Sequence, residues 1–153
     1  MFHIVLLEPE IPPNTGNIAR TCMVTGCKLH LIRPLGFDID DKSLKRAGLD
    51  YWAELNWCVH DSWDAYLAAT PGTTRYFVET CGETCYSDAA FQPDDHIIFG
   101  KETTGISQSI LSANKNAVLR VPMRESMRSI NLSSTVSIVL YEALRQNDFG
   151  ILQ

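Results

Sequence analysis

The sequence lacks any apolar run long enough to cross a membrane. A spanning helix needs about 20 predominantly apolar residues, and no stretch of the 153 residues approaches that length. The opening MFHIVLLEPE also lacks the basic start and the small-residue cleavage site of a secretory signal. We therefore expect a cytoplasmic protein with no membrane partner. Its 45% hydrophobic and 20% charged residues are typical of one globular domain, here residues 1–153.

An excess of basic residues is also missing. The chain has 13 lysines and arginines against 18 acidic residues, a net charge of −5. This balance counts against broad, non-specific nucleic-acid binding, which is usual for basic domains. Local basic patches remain possible, and two groups are candidates: Lys42, Lys45 and Arg46 in one, and Arg120, Arg124 and Arg128 in the other. Each could equally be a solvated charged face.

Paired cysteines, the usual sign of a metal or redox site, are nearly absent. The five cysteines are odd in number and scattered, which predicts free thiols. Cys81 and Cys85 form the one close pair, without the two-residue spacer of a redox motif or a second pair for zinc. The four histidines, which are His3, His30, His60 and His96, stand isolated in the sequence and are interpreted as structural. We predict no bound metal.

What the chain does contain is a regular alternation of strands and helices. Short apolar runs predict strands at residues 3–8, 29–33, 56–60, 74–80, 96–100 and 117–123. A helix capped by Asn14 or Thr15 should run to about Val24, with others at 42–47, 62–69 and 107–113 and a long last helix from about Asn131 to Gln146. The alternation predicts an α/β fold with a mainly parallel sheet flanked by helices.

Three polar, glycine-containing loops follow predicted strands, at residues 8–17, 99–107 and 121–131. Ligands of parallel sheets gather at the carboxyl ends of the strands. The last loop leads into a helix start with more polar side chains than capping requires, which indicates either a ligand at that helix terminus or a generously capped surface helix. No G-x-G-x-x-G or G-x-x-x-x-G-K-[ST] segment is present, which argues against a usual dinucleotide or ATP site.

The same loops carry NTGNIAR (14–20), FGKETTG (99–105) and RSINLSS (128–134). Together and in this order, these segments strongly resemble the three motifs of the SPOUT-type RNA ribose 2′-O-methyltransferases. The opening IVLLEPEIPPNTGNIAR and the segment DDKSLKRAGLDYW (40–52) resemble a narrower branch. That branch comprises the tRNA (cytidine/uridine-34)-2′-O-methyltransferases, which act on the wobble ribose. The likeness runs nearly from end to end.

The resemblance implies a C-terminal deep trefoil knot that binds S-adenosylmethionine, no metal, and a homodimer whose active sites each use both subunits. It implies the anticodon stem-loop of tRNA as substrate, without an additional RNA-binding domain. Three alternatives stay open: a 2′-O-methyltransferase for another tRNA position or for ribosomal RNA, a non-catalytic module that binds S-adenosylmethionine or RNA, and a cysteine hydrolase.

The resemblance also assigns residues to roles. The donor pocket would be formed by Val78, Thr80, Gly100, Val121, Ser129, Ile130 and Leu132. Gly100 has an independent reason, because a strand-end residue without a Cβ lets the backbone approach a ligand. Arg20 matches the catalytic arginine, and Asn14 and Glu102 match the motif-one asparagine and motif-two glutamate of the active site. Substrate would meet Lys45, Arg46, Asn131, Ser133 and Tyr141.

Overall fold

A computed structural model describes residues 1–39, 52–150 and 152. The strands are β1 (His3–Leu7), β2 (Lys28–Ile32), β3 (Trp57–His60), β4 (Arg75–Val78), β5 (Thr84–Cys85), β6 (His96–Phe99) and β7 (Val118–Arg120). The helices are α1 (Pro12–Thr25), α2 (Trp63–Ala69), α3 (Gln108–Ala113) and α4 (Leu132–Gln146), with short 3-10 turns at Tyr86–Asp88 and Lys115–Ala117. The helix predicted at 42–47, with Lys45 and Arg46, lies outside the described residues.

The seven strands form one sheet in the order β3-β2-β1-β6-β4-β7-β5. Every described pairing is parallel. The predicted α/β fold with a parallel sheet is therefore confirmed. The deep trefoil knot stays a prediction.

Alternation along the strands sends side chains to two cores. On β1, Ile4 and Leu6 join the core beneath α1 and α4, whereas Val5 and Leu7 join a second core with Tyr66 of α2. A sheet covered on both faces needs apolar residues at successive positions, which explains the unbroken run IVLL at residues 4–7.

The predicted cap of α1 is wrong. This helix begins at Pro12, with extended Ile11 as N-cap and no side-chain cap bond. Prolines suit the first helical positions, because the N–H they lack would be unpaired there. Asn14 therefore lies inside the first turn, and its side chain hydrogen-bonds to Glu102 and Asn131 instead of capping the helix. The predicted end at about Val24 agrees with the structure, since the helix ends at Thr25 and Gly26 follows it in the left-handed conformation at φ 66°.

The other helix starts agree with the sequence. Ser62 caps α2 by accepting a hydrogen bond from the Ala65 N–H at 3.1 Å, and Asn131 caps α4. Several strands are shorter than predicted, and β5, with only two residues, has too little sequence for a pattern. Among the described residues, no helix combines the length and apolarity that crossing a membrane requires.

The four histidines, isolated in the sequence, lie close together in the structure. Parallel pairing sets β1, β2, β3 and β6 side by side, so residues far apart in sequence lie on one face. His30 lies 2.9 Å from His3 and 3.0 Å from His60, measured between ring nitrogens, and His3 stacks on His96 with ring centroids 4.2 Å apart. Sequence spacing could not show this, because the contacts depend on the register of neighbouring strands.

Four adjacent strands, β1, β6, β4 and β7, bring their carboxyl ends to the same edge of the sheet. The loops that follow them contain the three polar segments singled out in the sequence, together with the residues just after Val78. The fold therefore assembles one site from four loops that are distant in the chain.

Candidate active site

A cavity of about 670 Å³ opens at this edge of the sheet. Its volume falls within the range of about 300–1,000 Å³ that is typical of small-molecule sites. The structure brings together all seven residues predicted for the donor pocket, which line the cavity: Val78, Thr80, Gly100, Val121, Ser129, Ile130 and Leu132. Three further predicted residues, Asn14, Glu102 and Asn131, line it as well.

Glu102 ties the second motif loop to the first. Its Oε2 accepts a hydrogen bond from the Glu10 backbone N–H at 2.8 Å. Its Oε1 accepts from the Ile11 N–H at 3.1 Å and from the Asn14 side-chain amide at 3.2 Å. Both carboxylate oxygens are therefore engaged in holding residues 10–14, so Glu102 acts as a clamp between two loops.

Asn14 and Asn131 extend this clamp to the third motif. The Asn131 amide nitrogen donates to the Asn14 side-chain oxygen at 3.0 Å. Asn14 is 7% exposed and uses its amide group in both directions, as donor to Glu102 and acceptor from Asn131. A continuous hydrogen-bonded chain thus joins all three motif loops, which fixes the shape of the cavity between them.

The side-chain oxygen of Asn131 caps α4. Its Oδ1 accepts from the Ser133 N–H at 2.9 Å, the Ser134 N–H at 3.4 Å and the Ser133 hydroxyl at 2.7 Å. Two of the amides at this helix start are therefore occupied by the cap. Ser133 is not among the residues lining the cavity, and its contact with substrate stays a prediction.

Glu79 lines the cavity between Val78 and Thr80, two residues predicted for the donor pocket. It directly follows β4, and its Oε2 accepts from the Ile106 N–H at 3.0 Å while its Oε1 accepts from the Thr80 N–H at 2.9 Å. Gly105 has φ 67°, a conformation that favours glycine, and a Cβ there would lie 2.2 Å from the Glu79 carboxylate and displace it.

Gly100 lines the cavity, and a close approach to a ligand is only part of the reason for a glycine at this position. A Cβ at this position would lie 2.3 Å from the Gly105 carbonyl carbon and 2.4 Å from the Ile106 nitrogen. Real Cβ atoms do not approach backbone atoms so closely. Gly100 is therefore required for the 100–106 loop to fold back on itself, in addition to any contact with a ligand.

Charge around the cavity is mixed. Glu79 and Glu102 contribute carboxylates, whereas Lys101 and Arg128 contribute cations. Lys101 pairs with Glu8, and this hydrogen bond raises the pKa of the lysine. The cavity thus offers polar partners of both signs beside apolar side chains from the strand ends.

Two further predicted residues lie outside the cavity. Arg20, on α1, and Tyr141, on α4, are exposed and are not among the cavity-lining residues. Helices α1 and α4 pack against each other, and their outer surface also carries Val24 at 57% and Ile138 at 36% exposure. We call Arg20, Val24, Ile138 and Tyr141 the α1–α4 surface.

Residues 1–141 match the model of the SpoU rRNA Methylase family. The tRNA (cytidine(34)-2′-O)-methyltransferase of Methylovorus glucosotrophus is 49% identical over 98% of each chain. The enzyme of the same name from Burkholderia pseudomallei is 49% identical over 97% of each chain. A solved structure described as "Structural insights into the 2-OH methylation of C/U34 on tRNA" shares 43% identity over 97% of both chains, with a TM-score of 0.92.

Proposed function

Because this chain belongs to the SpoU rRNA methylase family, we propose that it transfers a methyl group from S-adenosylmethionine to the ribose 2′-hydroxyl of nucleotide 34 in tRNA. The observation that carries the proposal is the cavity built by the three motif loops and held by the Glu102–Asn14–Asn131 chain. A near full-length likeness to enzymes named for this reaction supports the substrate.

The cavity residues fit the methyl donor. Val78, Val121, Ile130 and Leu132 provide apolar walls for an adenine ring, and the strand-end backbone with Thr80 and Ser129 provides polar partners for the ribose and the amino-acid part. S-adenosylmethionine, when bound, supplies a methyl group already made electrophilic by its sulfonium. The protein's task is then to place the ribose oxygen in line and to accommodate the hydroxyl proton.

Alignment supplies the larger share of the rate. Holding two reactants in a reactive geometry contributes roughly 7–11 kcal/mol. The chain through Glu102, Asn14 and Asn131 keeps the walls fixed, so these three residues act as positioning residues in this proposal. In this proposal Asn131, which lines the cavity, and Ser133, at the start of α4, also contact the acceptor ribose.

Arg20 is the proposed catalytic residue, although its guanidinium cannot act as a general base. Arginine stays protonated in proteins. In this proposal Arg20 holds a phosphate or stabilises the developing alkoxide by a two-pronged hydrogen bond, and the proton passes to a phosphate oxygen or water. Arg20→Lys should therefore lose most of the turnover rate at saturating tRNA, because lysine keeps the charge but cannot form two parallel N–H hydrogen bonds to one group.

In this proposal, dimer formation brings Arg20 of one subunit to the active-site cavity of the partner subunit. We place the dimer interface on the α1–α4 surface, where burial of Val24 and Ile138 would stabilise association. Arg20 and Tyr141 would then project toward the cavity of the partner subunit. The working unit is thus a homodimer acting on the anticodon stem-loop, in the cytoplasm where tRNA is modified.

A mixed dimer tests this composite site. Arg20→Ala removes the guanidinium, and Ser129→Trp fills the cavity from an exposed position. Each variant alone should be inactive. Co-expressed in equal amounts, they should recover about a quarter of wild-type activity, because half of the dimers are mixed and each mixed dimer has one intact site in two. No recovery would place Arg20 in its own subunit's site.

A second candidate substrate is ribosomal RNA, which the description of the family model favours. Labelled methyl transfer to bulk tRNA and to ribosomal RNA, followed by nuclease mapping, separates the two. Label at the ribose of nucleotide 34 supports the first proposal. Label in ribosomal RNA alone would show that ribosomal RNA, and not tRNA, is the substrate. The proposed methyl-transfer reaction would stand.

A further inference from the structure

A second group of reactive side chains lies away from the proposed active site. His3, His30, Cys58, His60 and His96 belong to β1, β2, β3 and β6, on the face of the sheet that Tyr66 of α2 covers. None of the five lines the active-site cavity. Their chemistry is therefore not used by the proposed methyl transfer.

Three atoms of this group form a compact triangle. His30 Nδ1 lies 3.0 Å from His60 Nε2 and 3.3 Å from Cys58 Sγ. The remaining side, between Cys58 Sγ and His60 Nε2, is 3.4 Å. In a tetrahedral zinc site with ordinary bond lengths, two nitrogens lie about 3.3 Å apart and a nitrogen and a sulfur about 3.6 Å apart. The observed sides are within about 0.3 Å of these values.

We propose that His30, Cys58 and His60 form a site for a zinc-like divalent cation, with two imidazoles and one thiolate as ligands. On binding, Cys58 releases its thiol proton to solvent and its sulfur forms a bond to the metal. Nitrogen and sulfur donors favour zinc over the oxygen-seeking magnesium and calcium. Three protein ligands leave one position for water or another small ligand.

His3 supports this assignment through its hydrogen bond to His30, although it would not bind the metal itself. A histidine that binds metal through Nδ1 keeps its proton on Nε2 and needs an acceptor for it. His30 Nε2 lies 2.9 Å from His3 Nδ1, which can accept this bond. The imidazole of His3 is in turn stacked on His96, whose Nδ1 is 2.7 Å from the Tyr66 hydroxyl. The ring of His30 is thereby oriented with Nδ1 toward Cys58 and His60.

The site is also accessible. His30 is 2% exposed, whereas Cys58 and His60 are half-buried on β3, the edge strand of the sheet. A cation can approach from the edge, and the buried His30 would hold it from behind. The competing interpretation is a metal-free ladder of imidazoles that hydrogen-bond to one another, and it predicts no stoichiometric binding.

Cobalt titration of the chelator-treated full-length chain tests the site. Co²⁺ should bind one ion per chain, with visible bands of tetrahedral coordination and a near-ultraviolet thiolate band, and Zn²⁺ should displace it. Cys58→Ser should abolish the thiolate band and weaken binding at least about tenfold, and His60→Gln should also weaken it. His3→Ala, which removes the acceptor, should weaken binding by about 10- to 100-fold while keeping the thiolate band.

The matched control is Cys81→Ser combined with Cys85→Ser, which removes the close cysteine pair and should leave the titration unchanged. Circular dichroism of each metal-free variant establishes that it is folded. A chain that shows no thiolate band at one equivalent of Co²⁺ contradicts the proposal. Binding that survives in folded Cys58→Ser but disappears in the double-cysteine control contradicts it too, and would move the site to residues 81–85.

Discussion

The Glu102 clamp gives a sharp prediction, because glutamine has nearly the same shape as glutamate. In Glu102→Gln one carboxylate oxygen becomes an NH₂ group. If the amide oxygen takes the Oε1 position, it keeps the bonds from Ile11 and Asn14, and the NH₂ then faces the Glu10 N–H across the 2.8 Å contact. Two donors cannot satisfy each other, so the substitution removes a bond and creates a repulsive contact.

The magnitude follows from the bonds involved. A hydrogen bond to a charged group contributes about 1.5–3 kcal/mol, and an unsatisfied buried donor costs about 1–3 kcal/mol. Glu102 is half-buried, so water offsets part of the loss. We expect Glu102→Gln to lower the free energy of unfolding by about 2 kcal/mol, which corresponds to a decrease of about 4–8 °C in Tm.

Thermal melting followed by circular dichroism measures this change, and donor titration measures its effect on the cavity. Glu125→Gln is the matched control, since it makes the same chemical change at an exposed glutamate. Donor binding should weaken in Glu102→Gln and stay unchanged in the control. Equal Tm values for both variants would refute the clamp and reduce the contacts of Glu102 to incidental ones.

Three further predictions concern other parts of the chain. Gly100→Ala should prevent donor binding, because its Cβ would meet backbone at 2.3 Å, whereas Gly150→Ala, with its closest contact at 3.5 Å, should not affect it in the same titration. In the metal-free protein, burial lowers the pKa of His96 to about 3. As the pH falls, the unfolded chain therefore binds a proton at this histidine at a higher pH than the folded chain does. Stability is then full above about pH 6.5 and falls toward pH 3 by at most about 1.4 kcal/mol per pH unit, and His96→Gln should flatten this dependence in urea unfolding. Removing the charges of Lys45 and Arg46 should weaken tRNA binding and reduce its salt slope, and an unchanged slope would exclude this patch.

The sequence predicted the fold because its signals are local. Apolar runs separated by turn residues fix strands and helices, and Asn131, Ser62 and Gly26 mark helix ends through their own backbone and side-chain chemistry. The order of the motifs along the chain was enough to identify the loops of the site. Parallel pairing then explains why these loops meet at one edge of the sheet.

The sequence could not predict contacts between distant residues. Asn14 looks like a helix cap, yet its amide links Glu102 to Asn131, and these partners are 88 and 117 positions away. His30 and Cys58 look unrelated until β2 and β3 pair in register, which places them directly opposite each other. Such contacts between distant residues depend on tertiary structure, so the local sequence pattern does not predict them.

The most direct test of the proposed function compares two anticodon stem-loop RNAs that are identical except at nucleotide 34, where one has the ribose 2′-hydroxyl and the other has hydrogen. Methyl transfer from labelled S-adenosylmethionine by the wild-type chain is measured on both. We predict stoichiometric labelling of the first RNA and none of the second. Equal labelling of both RNAs would contradict the account, since the methyl group would then be going to another atom.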